Sequence, residues 1–292
     1  MRSLPRSPIM VALFLCVIRP ALTQRATWTP DHLASGSPTL FTLELPAENI
    51  TVTARWQNHD LVFFRAPHKN TWYGLAGIDV EAKPGNYPLA LETTLPNGTK
   101  QTITEDIPVE AAPYEEIPLD VPEKFVEPGL TALKKIAADQ VLKNKAFART
   151  AAKPLWSGPF HPPLKIAPES DSFGTRRVFN GKLASIHRGL DYHARPGTPV
   201  LAVNSGRVVL ARPLYYEGNC IIIDHGLGLM TLYMHLSHFN AKEGAHVNRG
   251  QLIALSGGTG RVTGPHLHLG VRWQGAYLDP VKLYALELPT LR

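Results

Sequence analysis

Apolar and polar residues change places at every second position through much of this chain, and that rhythm admits few folds. Phe41, Leu43 and Leu45 alternate with Thr42 and Glu44, while Ile50, Val52, Ala54 and Trp56 alternate with Thr51, Thr53 and Arg55. A period of two marks a strand with one buried face. Tyr87, Leu89 and Leu91 continue the pattern, and Pro96-Asn97-Gly98-Thr99 between two such runs predicts a hairpin, because Asn-Gly supplies the positive φ angles of a tight turn. Short strands at regular spacing from about residue 37 to 110 predict a small β-sandwich of immunoglobulin-like architecture.

Beyond about Pro168 the chain is β-rich again. Pro199-Val200-Leu201-Ala202-Val203, Gly206-Arg207-Val208-Val209-Leu210-Ala211, Ile221-Ile222-Ile223 and Leu252-Ile253-Ala254-Leu255 are apolar runs bounded by glycine turns. Between the two β-rich parts, the proline- and acid-rich stretch Ala112 to Pro118 marks a boundary. Leu130, Leu133, Ala137 and Val141 then recur at three- and four-residue steps with lysines opposite, predicting an amphipathic helix from about Thr131 to Arg149 that packs on one of the domains. The division expected is 27–115 for the sandwich, 116–155 for a linker with the helix, and 156–292 for a second, antiparallel β-sheet domain.

The chain has 292 residues, 44% of them hydrophobic, enough for two domains with real cores. Its first 26 residues differ from the rest: Arg2 and Arg6 precede an apolar run from Ile9 to Ile18, then Ala21-Leu22-Thr23. That order predicts a secretory signal peptide, too short for an ordinary membrane span, and a mature protein that is periplasmic or extracellular. Cys16 would leave with it, so Cys220 would be the one mature thiol and no intrachain disulfide is expected. Cys220 sits in an apolar strand and reads as a packed core residue. Cleavage after Thr23 removes three arginines and takes the formal charge from +6 to about +3. That mild basicity suits an anionic wall polymer; no cluster of Lys and Arg interleaved with aromatics points to nucleic acid.

The chemistry gathers in the second half. In Gly264-Pro265-His266-Leu267-His268-Leu269, strand alternation would aim both imidazoles to one face and both leucines into a core. His187-Arg188-Gly189-Leu190-Asp191 would place an imidazole and a carboxylate on one face if extended, and Gly189 argues against a helix there. With His235 in Thr231-Leu232-Tyr233-Met234-His235-Leu236 between them, these are the ingredients of an open zinc site. Singly, each has a structural explanation; their conjunction does not.

At these residues the C-terminal half resembles the lysostaphin-like zinc endopeptidases of bacterial cell walls. The similarity runs through Ser172-Phe173-Gly174, His187 to Tyr192, Gly197-Thr198-Pro199-Val200, Asp224-His225-Gly226, Thr231 to Leu236 and Gly260 to His268, roughly residues 168 to 282. It implies an antiparallel metallopeptidase domain in which His187, Asp191 and His268 hold one Zn2+ per chain, leaving a fourth position for water. His235 and His266 are then the unligated catalytic histidines. Two imidazoles and a carboxylate leave the ion net positive, able to bring the pKa of bound water to about 7. No H-E-x-x-H is present, so an imidazole is the natural base, His266 in the first assignment, with His235 orienting water or stabilising the oxyanion. The reverse assignment stays open. Tyr233, two residues before His235, is read either as a further hydroxyl donor or as a packed aromatic.

The other histidines are demoted. His193 is placed beside the site or on the surface, His225 is structural, and His238 and His246 lack partners at useful spacing. The glycines at 257, 258, 260 and 264 are read as allowing backbone to approach a cleft, where an extended peptide lies against strand edges. Gly270, after His268-Leu269, departs from the family's pattern, where many relatives carry a larger residue. The resemblance implies cleavage of peptide stems or cross-links of peptidoglycan, with the N-terminal domain placing or masking the cleft. Two other readings share the fold: a non-catalytic activator of other wall hydrolases, and an extracellular protease acting on glycine-rich proteins.

Overall fold

The computed structural model describes residues 25–45, 50–66, 70–119, 129–166, 169–179 and 182–291. The expected signal peptide lies almost wholly outside them. Among the described residues, helix is confined to two segments, α1 (Leu130–Phe147) and α2 (Pro280–Ala285), and the rest of the regular structure is β. No helix among the described residues is long and apolar enough to cross a membrane.

The N-terminal part is two packed sheets. One has the order Thr27–Thr29, Pro38–Glu44, Thr71–Gly77, Phe64–Arg65; the other has the order Leu33–Ala34, Lys100–Glu110, Gly85–Thr94, Thr51–Trp56, His59–Val62. Along Thr51–Trp56 burial alternates residue by residue, with Val52, Ala54 and Trp56 inside. Phe41 of the first sheet meets the Trp56 ring of the second edge-on at 5.2 Å between centroids, and the indole N–H donates to Gly77 O at 3.1 Å. The hairpin forms where Asn-Gly places it: Gly98 has φ 81°, Leu95 N–H donates to Thr99 O, and Asn97 Oδ1 accepts from Thr99 N–H.

A ten-stranded, antiparallel sheet dominates the C-terminal part. Its main path runs Glu169–Asp171, Leu190–Tyr192, Leu267–Trp273, Leu229–Phe239, Gly218–Gly226, Gly206–Leu214, His246–Val247. Ile221, Ile222 and Ile223 are all fully buried, so this strand is covered on both faces. Ile221 and Ile223 face the main core with Leu267, Leu269 and Val271, while Cys220, Ile222, Met230 and Leu232 form a second cluster closed by Ala146 of α1. Continuous burial replaces alternation wherever both faces are covered.

Helix α1 sits the other way round from its sequence pattern. Leu130, Leu133 and Val141 are 81%, 48% and 66% exposed, whereas its buried residues are Asp139 and Ala146. Polar contacts decide the orientation. Asp139 accepts from Tyr215 N–H at 2.7 Å and from Lys135, and Lys143 pairs with Glu217. The segment expected as linker also begins as a strand: Glu116–Leu119 pairs in parallel with Arg176–Phe179.

The two parts share one apolar core. Val80 N–H donates to Tyr277 O, Tyr277 N–H to Asp79, and Asp279 N–H to Gly36 O. Trp156 and Phe160, in a proline- and glycine-rich stretch outside the regular elements, are buried at the seam, Trp156 against Phe64 and Phe160 against His225.

Candidate metal centre

Three neighbouring strands assemble the site. Asp191 on Leu190–Tyr192 lies directly opposite His268 on Leu267–Trp273, and His268 is opposite Met234 on Leu229–Phe239, one residue before His235. His187 arrives from the end of the strand Lys182–Ile186, where its backbone N–H donates to Thr175 O. The segment from 187 to 191 is therefore not one extended run; it leaves the strand after Ile186 and re-enters the sheet at Leu190. Gly189 fills the gap. A Cβ there would collide with the His268 ring and crowd Leu269 O, so only glycine lets the chain cross so close to the ligand.

The donor atoms converge. His187 Nε2 is 3.2 Å from Asp191 Oδ1 and 3.1 Å from His268 Nδ1, which is 2.7 Å from Asp191 Oδ1. Tetrahedral zinc with bonds of about 2.0–2.1 Å would set its ligands about 3.3 Å apart, so two imidazoles and a carboxylate at these separations fit such an ion with little rearrangement. His187 Nδ1 donates to Ser172 O at 2.9 Å, which turns Nε2 toward the other two donor atoms.

Two further imidazoles border this group. His266 Nε2 is 3.7 Å from Asp191 Oδ2, and the His235 and His266 ring centroids are 4.7 Å apart. Each is turned by a carbonyl: His235 Nδ1 donates to Thr259 O at 2.9 Å and His266 Nδ1 to Gly264 O at 2.8 Å. A carbonyl can only accept, so each ring carries a proton on Nδ1 and turns Nε2 away from that carbonyl.

Burial on its own would raise the Asp191 pKa, but the His187 and His268 rings beside it hold the carboxyl well below the usual range. Burial pushes His235 down to about 4 against its hydrogen bond to Thr259, and also lowers His268 despite the nearby Asp191. The carboxylate is ionised and these two imidazoles are neutral near pH 7, the forms that coordination and proton acceptance require.

All five residues singled out from the sequence come together. Tyr233 does not. Ile221 pairs with Tyr233 but Asn219 with Leu236, so the His235 strand carries an extra residue, and His235 itself has φ 62°. The bulge cancels the alternation that would have put Tyr233 beside His235; its ring is fully buried and its hydroxyl accepts from Val203 N–H at 2.9 Å. His225 is buried between Ser205 O and Thr231, and His193, His238 and His246 are exposed, as their contexts imply. The glycines at 257 and 260 lie against backbone of Ser237 and Gly218 beneath the His235 bulge. Sequence reading missed Thr259, Asn219 and Glu217, whose contacts hold that bulge; the paired glycines at 218 and 260 were the available sign.

One antiparallel sheet and its border thus bring two imidazoles and a carboxylate to one point, with two more imidazoles beside them. Residues 185–280 match the family model described as peptidase family M23, and the chain carries an M23 domain. Peptidoglycan DD-endopeptidase ShyA of Vibrio cholerae is 44% identical over 114 residues, which are 39% of this chain and 26% of the relative. DD-carboxypeptidase/endopeptidase Mpg of Neisseria meningitidis is 43% identical over 129 residues, 44% of this chain and 30% of the relative. The chain thus spans less than a third of the length of these relatives. A solved peptidase M23 structure from Pseudomonas aeruginosa superposes more widely, with a TM-score of 0.64 at 27% identity over 86% of this chain and 94% of that one.

Proposed function

We propose that the protein is an exported zinc endopeptidase that hydrolyses peptide cross-links of bacterial peptidoglycan. The observation that carries this reading is the completeness of the site: three candidate ligand atoms within 4.8 Å of one another, beside two histidines whose Nδ1 atoms are each held by a backbone carbonyl. The wall substrate rests on the relatives named as peptidoglycan endopeptidases.

His187, Asp191 and His268 would hold one zinc per chain. Zinc bound there supplies positive charge that acidifies water and polarises a carbonyl. The chain's own residues do the rest. Asp191 is the permanent negative charge that compensates the ion, and Ser172 O keeps His187 in its coordinating tautomer. His266, whose Nε2 faces Asp191, takes a proton from the attacking water; His235, held on Nδ1 by Thr259 O, orients it or supports the developing oxyanion.

Release of muropeptides from purified sacculi tests the reading. The mature protein should release products whose masses identify the cut bond; a chelator, or His187→Ala, should abolish release. Bound zinc with no release from sacculi or from soluble cross-linked peptides would favour the activator reading, and cleavage of glycine-rich protein without cleavage of wall would favour the third.

A further inference from the structure

We propose that helix α1 positions His235, with Lys143 as the positioning residue, so that the segment ahead of the M23 domain governs turnover. The proposal rests on the reading of His235 as a catalytic group.

His235 stands in the left-handed region at φ 62°, a conformation that a residue with a Cβ adopts only when its surroundings impose it. Two anchors impose it here. On one side the ring donates to Thr259 O, and Thr259 Oγ1 ties back to Leu236 O at 2.8 Å. On the other, His235 N–H donates to Glu217 O at 2.8 Å, so the imidazole is only as well placed as the turn that carries Glu217.

That turn is held by α1. Lys143 and Glu217 form an ion pair with side chains only 17% and 11% exposed, and Asp139, 3% exposed, accepts from Tyr215 N–H. Lys143 and Asp139 are four residues apart and thus share a helix face, the face turned inward at the expense of Leu133 and Val141. A helix that leaves its apolar stripe in water and buries a charged pair is oriented by the turn it grips. Screening and solvent competition are reduced at this burial, so the pair fixes geometry as a surface pair would not.

The test is Lys143→Met in the full chain, with Lys143→Arg beside it. We expect Lys143→Met to lower kcat about tenfold to a hundredfold with KM within about twofold, as misplacement of a group by about an ångström does. Zinc content should stay at the wild-type level. In ring-nitrogen NMR spectra the His235 Nδ1–H signal should shift or broaden, and Lys143→Arg should restore both signal and rate. If Lys143→Met does not fold, Glu217→Gln, which keeps the shape and removes the charge, carries the same expectations. A His235 signal and kcat identical to wild type would overturn the proposal, as would a loss of rate matched by loss of zinc, which marks general disruption. If wild type cleaves no wall peptide, the peptidase reading fails, and the His235 signal alone still decides whether α1 positions the ring.

Discussion

Asp191 and His268 face each other across the register of two antiparallel strands, and Asp191 Oδ1 lies 2.7 Å from His268 Nδ1. Two of the three candidate ligands are therefore placed by backbone pairing, and the third, His187, swings in from outside the sheet on the Gly189 crossing. A site built on strands is held more tightly than one built on loops.

Gly189→Ala tests the crossing. The new methyl would strike the His268 ring and Leu269 O, so the chain must shift or the ring must turn. Zinc affinity should fall about tenfold or more and stability by about 1–3 kcal/mol. Calorimetric zinc titration and chemical denaturation measure the two; unchanged zinc affinity would show that the crossing is looser than the structure has it.

His235→Ala and His266→Ala should separate metal binding from catalysis. Neither ring is needed for the three-ligand set, so each variant should retain zinc while kcat falls by about a hundredfold to ten-thousandfold. Elemental analysis beside single-turnover rates reads both. Loss of zinc from either variant would mean that the ligand set is wrongly drawn.

His225 should make folding pH-dependent in a definite direction. Burial lowers its pKa from 6.5 to about 4, against a hydrogen bond to Ser205 O, so the folded state favours the neutral ring. Between those values the unfolded chain binds more protons than the folded one. The contribution is fully present above about pH 6.5, falls as pH drops, and is gone below about pH 4. Denaturation midpoints for wild type and His225→Gln across pH 4 to 7 should converge toward the acid end. A constant gap would refute the assignment.

The orientation of α1 predicts opposite responses on its two faces. Val141→Lys, on the exposed stripe, should change stability by less than about 0.5 kcal/mol, whereas Ala146→Glu, which buries a charge against Ile222 and Met230, should cost about 2 kcal/mol or more. Comparable losses from the two substitutions would restore the apolar stripe as the packed face.

Strand alternation marked the N-terminal strands and the common face of His266 and His268, because period two survives wherever one face is buried; His187, Asp191 and His235 stood out by motif instead, since 187–191 is not one extended run and His235 sits on a bulge. Alternation failed at Tyr233, where one extra residue in a strand shifts every later side chain to the other face. It failed again at α1, because apolar spacing records which residues can pack and not which polar partners wait on the neighbouring turn. Residues such as Asp139 and Thr259 act through contacts 76 and 24 positions away, and no local pattern announces them.

Cleavage of a purified cross-linked muropeptide dimer, followed as zinc is returned to chelated protein, decides whether this site is a zinc peptidase centre. No cleavage is expected without metal, with recovery that saturates at one zinc per chain and no recovery in Asp191→Ala. Cleavage that persists in the chelated protein, or that Asp191→Ala retains, would contradict it.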